Sequence, residues 1–167
     1  STVGRIVQSI SRDGGVNWNT VEATELPSSY SPCRLARVPG TGDLLVIWNQ
    51  VSGEEIRRGY RRGRLSTAIS KDDGCTWEHH RTLALSPGLA DVARVRPDPA
   101  LRMVRAADSL GDLPDGYTLY HYPDVAFAGN TAYLLYNAGY YTPTADGVVQ
   151  SQERRLRAVP TSWLYEA

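Results

Sequence analysis

Short runs in which polar and apolar residues alternate, or in which β-branched residues cluster, cover most of this chain. Each run is bounded by glycine, proline, asparagine or aspartate, which is typical of strands joined by tight turns. The runs lie at residues 4–11, 33–39, 43–51, 65–70, 76–84, 122–128, 131–138 and 154–164. Glycine-containing segments at 39–43 and 128–130 predict hairpin turns. The pattern therefore predicts an all-β fold of antiparallel strands.

One stretch, residues 86–117, lacks this alternation and separates two predicted strands. Within it, Asp98 followed by Pro99 predicts the start of a short helix, because aspartate caps helices and proline fits their first position. Long connections in compact domains are usually functional or form interfaces. We therefore expect a partly helical insertion that is functional or forms an interface.

One turn pattern, Ser-x-Asp-x-Gly-x-x-Trp, occurs twice. Its members are Ser11, Asp13, Gly15 and Trp18 in the first copy, and Ser70, Asp72, Gly74 and Trp77 in the second. The serine and aspartate can bind backbone N–H groups, the glycine can take a positive φ, and the tryptophan can cover the turn. Because repeated units of this kind are typical of radial arrays, the spacing predicts a β-propeller in which residues 33–84 form one four-stranded blade.

These turns are Asp-boxes, and the sequence resembles the sialidase (neuraminidase) superfamily of six-bladed, BNR-repeat propellers. The resemblance also covers the segments 31–50, 61–77 and 120–139. It implies that residues 1–167 form a partial propeller of about two and a half blades, which corresponds to the C-terminal portion of a six-bladed ring. Half a blade would lie at 4–26, a full blade at 31–84 and most of another at 120–164. The Asp-boxes would be structural and lie away from the active face.

The same resemblance implies a glycoside hydrolase of the exo-α-sialidase type, which removes a terminal sialic or related acidic sugar with retention. The nucleophile of this class is a tyrosine, an exception among glycosidases that otherwise use two carboxylates. Tyr122, at the start of a predicted inner strand, matches that nucleophile. Tyr117 and Tyr120 are the alternatives.

Arginines hold the substrate carboxylate in the family, because a guanidinium binds a carboxylate through two parallel hydrogen bonds. Arg62, which precedes Leu65 and the second Asp-box, matches the third of these arginines. Its neighbours Arg58, Arg61 and Arg64 are alternatives, and so is a solvated arginine-rich loop without a role in binding.

The family's other catalytic groups are two further arginines, a glutamate and an aspartate, and all are expected before the first Asp-box. This chain therefore supplies at best half of a catalytic site, and we expect the isolated fragment to be inactive or nearly so. Asp112, Asp115 and His121 are further candidates for an acid or base near Tyr122. The resemblance implies no cofactor and no metal.

Charge and composition limit the partners. Eighteen basic and eighteen acidic residues cancel, which argues against nucleic acid and membrane surfaces as partners. The separation of Cys33 and Cys75 favours two buried free thiols over a disulfide. An open arc of blades leaves strand edges and apolar faces exposed, so we expect self-association or pairing with a missing N-terminal half. The partners would then be an acidic sugar or glycoconjugate for the enzyme, or glycan, protein or further blades for a non-catalytic module. The compartment is not indicated.

Overall fold

The structure, a computed structural model, describes residues 4–97, 113–145 and 147–166. Within these ranges the chain forms antiparallel sheets, one short α-helix and one 3-10 helix. The strands are β1 (Arg5–Gln8), β2 (Glu22–Pro27), β3 (Arg34–Arg37), β4 (Leu44–Trp48), β5 (Arg64–Ser70), β6 (Glu78–Leu85), β7 (Thr118–Ala128), β8 (Thr131–Thr144) and β9 (Gly147–Pro160). Helix α1 (Gly53–Arg57) lies between β4 and β5, and the 3-10 helix (Thr161–Tyr165) follows β9. The predicted all-β class is confirmed.

The strands form three sheets in which neighbours in the sheet are also neighbours in the chain. The orders are β1-β2, β3-β4-β5-β6 and β7-β8-β9, and every pair is antiparallel. The four-stranded middle sheet is the full blade that the sequence predicts. The flanking sheets fit partial blades, as the sequence also predicts.

The middle sheet is apolar on both faces, which explains the continuous hydrophobic run of β4. Val46 and Trp48 pack with Leu26 of the first sheet, whereas Leu45 and Ile47 belong to a second cluster shared with the third sheet. Alternate residues of a strand point to opposite faces, so a strand buried on both sides shows no alternation of polar and apolar residues. The three sheets therefore stack face to face, as the blades of a propeller do.

The last two strands extend beyond their predicted limits. β8 and β9 pair along their whole length, from Thr131 opposite Pro160 to Thr144 opposite Gly147. Residues 151–158 are exposed on both faces of β9, so the part of this strand before residue 154 lacks the alternation of a half-buried strand and was not predicted. The predicted strand 154–164 is wrong at its end, because the chain turns into the 3-10 helix after Pro160, where Thr161 N–H donates to the Asn130 carbonyl at 2.7 Å.

The predicted insertion lies between β6 and β7, and its described parts, 86–97 and 113–117, contain no regular helix or strand. The helix predicted from Asp98 lies outside the described residues. Both cysteines are free, but they are exposed, so the expectation that they are buried is wrong. No helix in the described ranges is long and apolar enough to cross a membrane.

Candidate functional site

The first Asp-box is a turn held together by its own polar side chains. Ser11 Oγ accepts from Gly15 N–H at 2.8 Å and donates to Asp13 Oδ1 at 2.8 Å. Asn17 N–H also donates to Asp13 Oδ1, at 2.9 Å. The hydrogen bonds from Asn17 and Ser11 lower the pKa of Asp13 to about 2. Trp18 covers Gly15, donates to its carbonyl at 3.0 Å, and is 64% exposed.

The second Asp-box repeats this geometry in a buried setting. Ser70 Oγ accepts from Gly74 N–H at 2.8 Å, and Asp72 accepts from the backbone and hydroxyl of Thr76 at 2.8 and 2.7 Å. The bonds from Thr76 and Ser70 lower the pKa of Asp72 to about 2. Trp77 is only 6% exposed and packs into the cluster between the first and middle sheets. The carboxylates of both boxes are thus fully used within their turns.

The second Asp-box and Arg62 lie at opposite ends of β5 in the middle sheet. β5 runs from Arg64 to Ser70, so Arg62 precedes one end and the second box begins at the other. A strand of this length spans about 20 Å. The second Asp-box therefore supports the sheet from a distance and does not contact Arg62.

Arg62 joins the loop before β5 to the first residues of β7. Its backbone N–H donates to the Tyr117 hydroxyl at 3.2 Å, and its carbonyl accepts from Tyr120 N–H at 2.9 Å. The half-buried guanidinium donates to the Tyr30 carbonyl at 2.8 Å. The structure therefore brings the segment of Arg62 next to the segment that carries Tyr122.

Tyr122 lies in a β-bulge and in a strained backbone conformation. The register of β7 shifts between His121 and Asp124, and Tyr122 has φ +52°. A left-handed backbone at a residue with a Cβ costs about 1–2 kcal/mol and is concentrated at functional sites. The bulge turns the Tyr122 side chain outward, where it is 63% exposed.

His121 contacts the Tyr122 ring, and the two ring centroids are 4.7 Å apart in an edge-on arrangement. His121 is buried, its Nε2 lies 3.1 Å from the Gln152 amide nitrogen, and its Nδ1 has no hydrogen-bond partner among the described residues. Burial, together with the nearby positive charge of Arg62, lowers the pKa of His121. The lowered pKa favours the neutral form of the imidazole.

The two alternative tyrosines are buried and engaged in hydrogen bonds. Tyr117 is 4% exposed and accepts from Arg62 N–H, and Tyr120 is 3% exposed and donates to the Leu85 carbonyl at 3.0 Å. Burial raises the pKa of both phenols. Of the three candidates, Tyr122 is the one whose side chain meets solvent.

The alternative arginine Arg64 is committed to the core. Its guanidinium is fully buried and bonds both Glu55 oxygens, at 3.1 and 2.8 Å, and the Ala90 carbonyl at 2.7 Å. Glu55 is fixed in turn by a capping box with Ser52 at the start of α1. Arg58 donates to the Gly88 carbonyl and lies over a tyrosine ring, and Arg61 is half-buried. Arg64 is therefore a structural residue, whereas Arg62 is the arginine of this group whose backbone bonds to β7, the strand that carries Tyr122.

Helix α1 is a feature that the hydrophobic pattern did not predict. The sequence signal was Ser52 followed three residues later by Glu55, the signature of a capping box. Of the remaining acid or base candidates, Asp115 is exposed in the connection before β7. Asp112 lies outside the described residues.

The chain matches a protein family described as BNR repeat-like domain over residues 1–135. This chain belongs to the BNR repeat-like domain family. The match includes both Asp-boxes, Arg62 and Tyr122, and it agrees with a sialidase-type propeller. Neither the curated proteins nor the solved structures compared with the chain gave a match.

Proposed function

We propose that this BNR-repeat chain is part of a sialidase-like glycoside hydrolase that removes a terminal sialic or related acidic sugar. The observation that best supports this proposal is the position of Tyr122, the exposed tyrosine of the three candidates. It lies at a strained bulge, its ring contacts His121, and the segment that carries Arg62 is bonded to the same strand. An anionic sugar needs a cation for its carboxylate and a neutral nucleophile for its anomeric carbon. The guanidinium and the phenol supply this pair.

In the proposed reaction, the Tyr122 oxygen bonds to the anomeric carbon while the bond from that carbon to the aglycone oxygen breaks. The aglycone oxygen takes a proton from an acid, and a base takes the phenol proton. Water then displaces the tyrosine, so the configuration is retained. His121 contacts the Tyr122 ring, and its lowered pKa favours the neutral imidazole, the form that can accept a proton. The general acid has no candidate in the described cluster, so we expect little turnover by the 167-residue chain.

A fluorogenic sialoside, with Tyr122→Phe beside the wild type, tests this proposal. Tyr133→Phe is the matched control, because Tyr133 is another partly exposed strand tyrosine on β8. We expect that any turnover is lost in Tyr122→Phe and kept in Tyr133→Phe. Turnover that survives in Tyr122→Phe would overturn the assignment of the nucleophile.

A second candidate function, a non-catalytic module that assembles into a larger propeller, is favoured by the outer faces of the arc. The first sheet exposes Val7 and the nearby Trp18, and the third exposes Leu135 paired with Leu156. Trp77, the counterpart of Trp18, is buried against the sheet that precedes its own.

We propose that a second copy of the chain covers these faces. Each chain has three sheets, so two chains together supply six, the number of blades in the propellers that this sequence resembles. Light scattering should then give twice the chain mass of 18.4 kDa. A mass of 18.4 kDa at high protein concentration would refute self-association.

A further inference from the structure

Tyr30 lies at the same end of the molecule as Arg62, in the link between β2 and β3. Its carbonyl accepts the hydrogen bond from the Arg62 guanidinium at 2.8 Å, and its side chain is 63% exposed. No pattern in the sequence singled this residue out. A large aromatic side chain that is left in solvent, on a residue whose backbone holds a cation, is a feature that binding sites use.

The backbone that carries Tyr30 is fixed on its N-terminal side. The Pro27 carbonyl accepts from the buried Trp48 indole N–H at 2.9 Å, and Ser28 N–H donates to the Gly4 carbonyl at 2.9 Å. Ser28 and Ser29 are buried, at 4% and 8% exposure. The exposed ring therefore projects from an anchored segment, which lowers the entropy cost of binding a ligand against it.

Arg62 links this segment to that of Tyr122. Its carbonyl binds Tyr120 N–H, two residues before Tyr122, and its guanidinium reaches Tyr30. The Arg62 backbone therefore holds the segment of Tyr122, and the Arg62 side chain holds the segment of Tyr30. Both tyrosine side chains are 63% exposed.

The charge of Arg62 is available to an anion. Its guanidinium donates to a backbone carbonyl, and none of the ion pairs between described residues includes it. The nearest arginine along the strand, Arg64, is instead neutralised by Glu55. A carboxylate ligand would therefore find a cation that is already positioned and has no competing anion among these residues.

We propose that Tyr30 is a wall of a binding site for an acidic pyranose, in which the Arg62 guanidinium holds the carboxylate and the Tyr30 ring contacts the C–H face of the sugar. The proposal rests on the proposed recognition of acidic sugars and adds a residue that bond cleavage does not require. Tyr30 contributes to affinity and to the choice of sugar, whereas Tyr122 carries the chemistry.

Isothermal titration calorimetry with N-acetylneuraminic acid and glucuronic acid tests the proposal, with glucose as the uncharged probe. Tyr30→Ala removes the ring but keeps the carbonyl that holds Arg62. We expect it to weaken binding of the acids about tenfold, the scale of one aromatic stacking contact. Tyr30→Phe keeps the ring and should bind within about twofold of the wild type. Tyr133→Ala, at an exposed tyrosine on β8, is the matched control and should not change affinity.

The outcomes separate this inference from the proposed hydrolysis. Wild-type affinity in Tyr30→Ala, with affinity lost in Arg62→Gln, would overturn the role of Tyr30 and leave the proposed function intact. Binding that depends on Tyr30 would support the site whether or not the chain turns over a sialoside, because little turnover is expected without a general acid. A wild-type chain that binds neither acid, or that binds glucose equally well, would overturn the inference.

Discussion

The two Asp-box tryptophans occupy equivalent places in their turns but differ in burial and in one hydrogen bond. The Trp18 indole N–H donates to the Gly15 carbonyl, whereas the buried Trp77 indole N–H has no partner among the described residues. Trp18 and Trp77 cover equivalent glycines in turns with the same serine and aspartate hydrogen bonds. Their exposures are 64% and 6%. The difference is about 120 Å² of a ring that buries about 200 Å², which at about 25 cal/mol per Å² corresponds to about 3 kcal/mol.

We therefore expect Trp77→Ala to lower the free energy of unfolding by about 3–5 kcal/mol, because it leaves a cavity between the first and middle sheets. Trp18→Ala should cost less than Trp77→Ala, by up to about 3 kcal/mol, because the unpaired buried N–H of Trp77 offsets part of the gain from burial. Urea unfolding followed by circular dichroism measures both values, and the slope with urea must agree between variants for the comparison to stand.

Equal losses in the two variants would refute the stacking of sheets inferred here, unless the loss in Trp18→Ala depends on protein concentration. A concentration-dependent loss would instead show that Trp18 is covered in a self-associated form, as the second candidate function predicts. Measurement at two protein concentrations separates these results. A loss smaller than about 1 kcal/mol in Trp77→Ala would contradict the buried position of that ring.

Three further predictions follow from buried or hydrogen-bonded charges. Glu55→Gln should destabilise the chain by about 3–5 kcal/mol in urea unfolding, because it leaves the buried Arg64 cation without its anion; no loss would contradict the pair. The folded pKa of Asp72 is about 2, below its ordinary value of 3.8, so its contribution to stability is present above about pH 4 and falls away between pH 4 and pH 2. Asp72→Asn should flatten the acid limb of a stability-against-pH curve, and an unchanged limb would contradict the lowered pKa. In an NMR titration His121 should have a pKa below its ordinary value, and Arg62→Gln should raise that pKa; an unchanged pKa would place the guanidinium away from the ring.

The sequence predicted best those strands whose burial produces a recognisable pattern of polar and apolar residues. β4 is buried on both faces and β7 on one, so each shows a recognisable apolar pattern between turn residues. β9 is exposed on both faces over residues 151–158, so the sequence predicted only its second half, from residue 154, and the long hairpin with β8 sets the rest of its pairing. Helix α1 is shorter than a hydrophobic period can reveal, and its capping box was the available signal.

The arrangement of the candidate site was beyond what residue order can predict. The resemblance to sialidases selected Tyr122 and Arg62 as positions, but their proximity arises from hydrogen bonds between distant segments. The bulge at Tyr122 depends on register with β8, which a single strand does not encode. Tyr30 belongs to no motif, and only its contact with Arg62 gives it a role.

The strain at Tyr122 is tolerable because the surrounding backbone is held by more bonds than it needs. The buried Asn49 amide donates to the carbonyls of Arg64 and Tyr120, each at 3.0 Å, so it ties the middle sheet to the third sheet beside the bulge. The bond from Tyr120 N–H to the Arg62 carbonyl also ties β7 to the segment that precedes β5. A left-handed tyrosine in an otherwise free strand would relax, at a gain of about 1–2 kcal/mol, into the extended conformation of its neighbours. The three bonds fix the backbone of β7 at Tyr120, two residues before Tyr122, and each buried polar group left unpaired costs about 1–3 kcal/mol. The bulge thus begins from a segment of β7 that is tied to the middle sheet.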